Sequence, residues 1–438
     1  MSEPSSISME HEGERISNSI FINYQGQIYA SVPSNGYHLI KQADPASFKL
    51  IATNSQRNTP FAIDQQQAYC GNKSIANFSP TTAVYLGNDY FTDGHSTIYC
   101  APFTEQNLTL SSWQNLVETW LYGLGLGEKP QVYFYPLVRL PNSSTPYKAL
   151  LKNNLATNGS TVFFRGKLMP DAQPEQIKAV NLQDEDKRLR SSHNLYQDDN
   201  FVYYHNYKLP IPSSKHMYSF NVGNLFKEHY LFDPTTGNVA MNNLVFNTDY
   251  APYQIMSHHG GHVNHVLLLS KHGVYFYDQA KEKIKRAGDN PFPDGNWQEI
   301  APLIFIYNNH TYFLQDSSIS GQKRHSTGLV SRSTSLYQLE ENTTDAWEKI
   351  ADIHYGRYGQ IWRKGKDYYF FDKLGKTQLS NTTLYRIANQ TAVKLLLNQA
   401  NPNDIRKMIK EGALVRVSAK KIFQAKSQYR NNFLDFSD

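Results

Sequence analysis

Asp198-Asp199-Asn200-Phe201-Val202-Tyr203-Tyr204 sets three turn-forming polar residues directly before four strand formers, and the chain repeats this arrangement along its length. It recurs as Gly87-Asn88-Asp89-Tyr90-Phe91, Gly159-Ser160-Thr161-Val162-Phe163-Phe164 and Gly273-Val274-Tyr275-Phe276-Tyr277, then as Asn308-Asn309-His310-Thr311-Tyr312-Phe313 and Gly365-Lys366-Asp367-Tyr368-Tyr369-Phe370-Phe371. Gly, Asn and Asp accept the backbone of tight turns, while aromatic and β-branched residues fit a half-buried pleat. The anchors Tyr90, Phe163, Tyr203, Tyr275, Tyr312 and Tyr369 lie 73, 40, 72, 37 and 57 residues apart, so the first four gaps fall near 40 or near twice that, and Val132-Tyr133-Phe134-Tyr135 and Glu228-His229-Tyr230-Leu231-Phe232 are weaker copies within the long gaps. One small sheet cannot bury both of its faces, so the period predicts stacked small antiparallel sheets. The expected fold is mainly β, repetitive and β-propeller-like. It is expected to fill residues 20–395, behind a flexible stretch 1–19 and ahead of a C-terminal helix and basic tail at 396–438.

Charged residues make up only 18% of the chain, while Tyr and Phe number 30 and 23, so the composition is that of a globular β protein. The net charge of +5 sits mostly between Asp404 and Arg430, where Arg406, Lys407, Lys410, Arg416, Lys420, Lys421, Lys426 and Arg430 face only Asp404 and Glu411. A near-neutral body argues against nucleic acid as a ligand, since phosphate binding needs clustered cations. No apolar run approaches the ~20 residues that span a bilayer, and the first nineteen residues lack a secretory core. Cys70 and Cys100 are too few for a disulfide framework and are read as two buried thiols of a reducing compartment, with a single bridge and then a catalytic thiol as the alternatives. The expectation is a cytoplasmic protein with no membrane contact.

Two helical segments interrupt the β pattern. Between residues 111 and 122, Trp113, Leu116, Val117, Trp120 and Leu121 share one face, Ser111 with Gln114 forms a capping box, and Gly123, Gly125 and Gly127 end the run. This face is expected to pack on the chain's own sheet, with docking to a partner as the alternative. Trp113, Trp120 and Tyr122, with Arg188 and Arg190, are the candidate partner-binding residues, because aromatic and Arg anchors dominate protein interfaces. Near the C-terminus, Asn401-Pro402-Asn403-Asp404 starts a helix that Gly412 stops, and the basic stretch from Ala413 to Arg430 reads equally as strand or helix.

Catalytic signatures are missing: there is no nucleophile elbow, no phosphate-binding loop and no zinc-protease motif. His258, His259, His262 and His265 surround a Gly-Gly pair and are weak metal candidates, since no Cys, Asp or Glu in the segment completes a ligand set. The expectation is no metal, no cofactor and no enzymatic activity.

The unit at Asp198 to Tyr204, a near match at Gly365 to Tyr369 and the segment Ala43-Asp44-Pro45-Ala46-Ser47-Phe48 resemble the bacterial DKNYY-repeat proteins, named for Asp-Lys-Asn-Tyr-Tyr. The resemblance brings no catalytic residue to any position. It implies a cytoplasmic immunity protein that binds a cognate interbacterial toxin, of the type VI secretion or polymorphic kind, and occludes its active site. A general ligand-binding β-repeat protein is the alternative, followed by a hydrolase on a propeller scaffold.

Overall fold

The computed structural model describes residues 6–51, 58–151, 154–183, 189–222, 227–257, 263–322, 327–341, 343–372, 382–398 and 400–429. The chain divides into two compact units, residues 1–178 with 197–208 and residues 179–196 with 209–438. Sequence reasoning had expected a single β domain. The stretch before residue 20, read as a flexible lead, carries helix α1 (Ser6–Glu12) and a short strand, Glu14–Arg15.

The first unit is built from four-stranded antiparallel meanders. One runs through Phe21–Tyr24, Gln27–Val32 and Gly36–Leu39, with Glu14–Arg15 on its edge, and the next spans Lys49–Leu50 to Lys73–Ser74. A third joins Val84–Gly87, Tyr90–Thr92 and Thr97–Cys100 to Leu137–Arg139, and a fourth spans Lys148–Leu150 to Lys167–Met169. Asn88 and Asn308 each open a two-residue turn in which both central residues have positive φ, the geometry that matches strand twist. The aromatic runs fill the space between successive sheets: Phe61 stacks on Phe91 at 3.8 Å, and Tyr90, Tyr99, Tyr147 and Phe163 share one core. The predicted repetition of small antiparallel sheets is therefore present, and its physical purpose is mutual burial.

The Asp of the repeated unit has a definite job. In Asp64 one carboxylate oxygen accepts the N–H groups of Gln66 and Gln67, both at 2.7 Å, and so shapes the hairpin turn. The other accepts the N–H of Asp44 at 3.0 Å and the hydroxyl of Tyr69 at 2.6 Å. Asp93 repeats the pattern with His95, Ser96 and Ser79, and Asp198 with Asn200, Phe201 and Gln173. Asp44, Ser79 and Gln173 all precede a proline, which holds them extended with the N–H free to point inward. The polar half of each repeat thus ties a turn to the segment that enters the same sheet.

Cys70 and Cys100 form a disulfide, with Cα atoms 5.9 Å apart, which corrects the reading of two free thiols. Each follows a Tyr on a strand of a neighbouring sheet, and sheet stacking brings together two residues that lie far apart in sequence. The cysteines consequently give no support to a reducing compartment. No helix among the described residues is long and apolar enough to cross a membrane.

In the second unit, Asn181–Gln183 pairs in parallel with Tyr218–Phe220, and antiparallel sheets follow at Gln254–Gly288, Gln298–Leu339 and Trp347–Ile387. Helices α3 (Gln390–Leu397) and α4 (Pro402–Lys410) bury Val393, Leu396, Ile405 and Met408 against Ile361, Phe370 and Tyr385 of the last sheet. Asn401 caps α4 at the expected start, through a box with Asp404. The basic stretch beyond Gly412 resolves as strands: Leu414–Arg416 completes the last sheet and Ala419–Gln428 completes the one before it.

Candidate functional site

The segment from Glu105 to Phe134 leaves the third sheet of the first unit and returns to it. Its two ends are pinned as a short ladder, Glu105–Gln106 on Tyr133–Phe134, and the Asn107 N–H donates to the Val132 carbonyl at 2.8 Å. Lys129 donates to the Tyr37 carbonyl at 2.9 Å and Asn35 to the Pro130 carbonyl at 3.1 Å, so the base is fixed to the first sheet. From this base the chain forms α2, a helix over Ser112–Gly123. The capping box is made as predicted, Gln114 N–H to Ser111 Oγ at 3.2 Å and Ser111 N–H to Gln114 Oε1 at 3.0 Å. Gly125, at φ +74°, turns the chain out of the helix.

The Trp face of α2 does not pack on the chain's own sheet, which corrects the expectation. No residue of the helix is buried. Trp113 is 72% exposed, Trp120 65% and Leu116 60%, and Leu108, Leu124 and Leu126 extend the apolar surface. Water-exposed rings of this size are unfavourable unless something covers them, since burial of each large apolar side chain is worth about 1.5–3 kcal/mol. Glu118 is the one charged residue in the helix. Chemically the face can do one thing, which is to bury apolar anchors at positions i, i+3, i+4 and i+7 in a matching groove.

The other predicted contacts divide. Tyr122 is half-buried and lines a cavity of 420 Å³ with His38, Lys41, Lys73 and Lys129, away from the Trp face. Burial, and then Lys129, push the His38 imidazole down to about 4, so it is neutral in this cavity. Arg190 lies exposed on the strand Leu189–Gln197 within the second unit, so it does not share a compact unit with the Trp pair. Arg188, His258, His259 and His262 lie outside the described residues.

His265 is buried. Its Nε2 is 2.9 Å from Ser427 Oγ, its ring meets Phe276 edge to face, and burial pushes its pKa down to about 4. It belongs to a polar network that sequence reasoning missed, in which the Tyr230 hydroxyl donates to Glu228 at 2.5 Å and Tyr429 donates to Gln279 at 2.7 Å. Gln279 also donates to Glu228 and accepts from Arg332. Asp316 accepts from Thr334, yet burial pushes its carboxyl up to about 7. These residues hold the long hairpin His310–Leu339 and the C-terminal strand in place. Among the described residues no three His, Cys, Asp or Glu side chains gather as a metal site.

No curated protein and no solved structure matches the chain. The model of the DKNYY family matches residues 21–207, the region in which Asp64, Asp93 and Asp198 build the repeated turns. Over that region, somewhat less than half of the chain, the sequence is similar to the DKNYY family.

Proposed function

We propose that this protein is a non-catalytic immunity protein that holds a cognate toxin inactive, and that helix α2 is its principal contact. The observation that carries the reading is the uncovered apolar face of Trp113, Leu116, Val117 and Trp120 on a helix whose base is pinned at both ends. Rigid aromatic anchors give tight binding at small entropic cost, because little freedom remains to be lost. The uncharged face fits an apolar groove on the partner, and a helix seated in a toxin's cleft keeps substrate out. The similarity of residues 21–207 to the DKNYY family supports the toxin context only by likeness.

The test is co-expression with the product of the adjacent reading frame. Wild-type protein suppresses the toxicity of that product, and Trp113→Ala/Trp120→Ala loses suppression while its melting temperature is unchanged. Equal protection by both proteins, or no toxicity to suppress, removes the reading. On this account the two meet in the cytoplasm. The state of the Cys70–Cys100 pair in thiol-blocked extracts tests that placement, since a bonded pair there assigns an oxidising compartment instead.

A further inference from the structure

Cys100 ends the strand from which residues 101–136 depart, and it pairs there with Leu137, the first residue of the strand that receives them back. The exit and the return of the segment that carries α2 therefore lie side by side at this point. The Ala101 N–H donates to the Pro136 carbonyl at 2.9 Å, which closes the neck, and the Cys70 sulfur lies 3.9 Å from the same carbonyl. Tyr135 packs so closely on Gly71 that a Cβ there would meet its ring at 2.6 Å, and its hydroxyl donates to the Ser31 carbonyl at 3.0 Å. The Cys70–Cys100 bond thus joins the second sheet to the neck of the α2 segment, all within the first unit.

Beyond the neck the ties are few and polar. The stem ladder is two residues long on each side, and α2 buries none of its residues. The links to the first sheet are the Lys129 and Asn35 hydrogen bonds and an exposed ion pair of Lys41 with Glu128 at 2.8 Å. Contacts of these kinds are individually weak. The bond at the neck is the covalent tie, and it limits how far the two sheets can separate where the segment leaves.

We propose that this bond gates α2: the oxidised chain presents the helix ready for its partner, and the reduced chain lets the neck open and the helix lose its fixed direction. The gate rests on α2 being the contact surface and adds the regulation of that contact. The electron donor is a dithiol. One of its thiolates attacks a sulfur of the pair and the S–S bond breaks, then its second thiolate displaces the mixed disulfide. The chain gains two electrons and two protons as two thiols, and the dithiol closes to its own disulfide. Cys70 and Cys100 are 1% and 0% exposed, so the attack waits on opening of the neck. A partner that prefers the closed neck protects the bond in return, because the coupling is reciprocal.

Amide hydrogen exchange of the full chain, oxidised and after reduction by dithiothreitol, tests the gate, with Cys70→Ser/Cys100→Ser as a second form without the bond. The readout is exchange at Ala101, Asn107 and the Glu105–Gln106 ladder that dilute urea leaves unchanged, the mark of local opening as opposed to global unfolding. Exchange at least tenfold faster without the bond supports the gate. Equal exchange in both forms overturns it, because the bond then acts only on the unfolded chain. Affinity for the adjacent frame's product is read in parallel: a loss of at least tenfold on reduction supports the link to binding, and equal affinity of both forms overturns it. A product that binds neither form removes the toxin reading, while the exchange result still decides the gate. If the double serine variant does not fold, the dithiothreitol-reduced chain alone makes the comparison.

Discussion

Replacing Asp64 by Ala would remove the acceptor of the Asp44, Gln66 and Gln67 N–H groups, and would leave the buried Tyr69 hydroxyl only the Gln42 carbonyl at 3.1 Å. Orphaned buried donors are expensive, so we expect a loss of about 3 kcal/mol in urea-induced unfolding. Burial pushes the Asp64 carboxyl up, but Tyr69 and the three N–H donors outweigh it and hold the group below its ordinary value of 3.8. A depressed carboxylate contributes stability above that value and loses it as pH falls through the folded-state pKa. Asp64→Ala should therefore narrow the stability gap to wild type under acid conditions. Asp316 has the opposite sign. Its carboxyl is raised to about 7, so its contribution is full below 3.8 and is lost as pH rises toward neutrality. Asp316→Asn keeps an oxygen for Thr334 without the buried charge, and should be more stable than wild type at pH 8 by more than about 1 kcal/mol. A variant less stable at that pH would show that the charge is compensated.

At the scale of elements, the capping box, the glycine stop and the amphipathic pattern of α2 were all legible, because each depends on residues three or four apart. Its exposure was not. Whether a Trp face meets a sheet or water is decided by Glu105–Gln106 on Tyr133–Phe134, a ladder that periodicity cannot report. Because the helix buries nothing, Trp113→Ala/Trp120→Ala should change global stability by less than about 0.5 kcal/mol, as read by thermal unfolding. The C-terminal strands were ambiguous for a related reason: Ala419–Gln428 alternates buried and exposed residues only because Ser331–Leu339 lies beside it. The disulfide was misjudged because the stacking that joins Cys70 to Cys100 is a property of two sheets. It closes a separation of 30 residues, and Cys70→Ser/Cys100→Ser should cost about 3 kcal/mol in denaturant unfolding.

For the molecule as a whole, repetition carries the architecture and a departure from repetition carries the proposed function. Turn Asp and strand aromatic recur because each small sheet must hide its faces on a neighbour, which is why the β class could be read from Asp198 to Tyr204 and its echoes. The division into two units could not, since the charged run at residues 184–190 reads as an exposed loop within one domain. The buried network around Glu228, His265 and Asp316 was equally hidden, its members being scattered from Glu228 to Tyr429. The helix that breaks the pattern is the feature the repeats do not need. Tryptophan fluorescence during titration with the adjacent frame's product tests its role most directly. The account predicts a blue-shifted, quencher-protected emission that disappears in Trp113→Phe/Trp120→Phe. Tight binding that leaves the emission of the wild-type protein unchanged would contradict it.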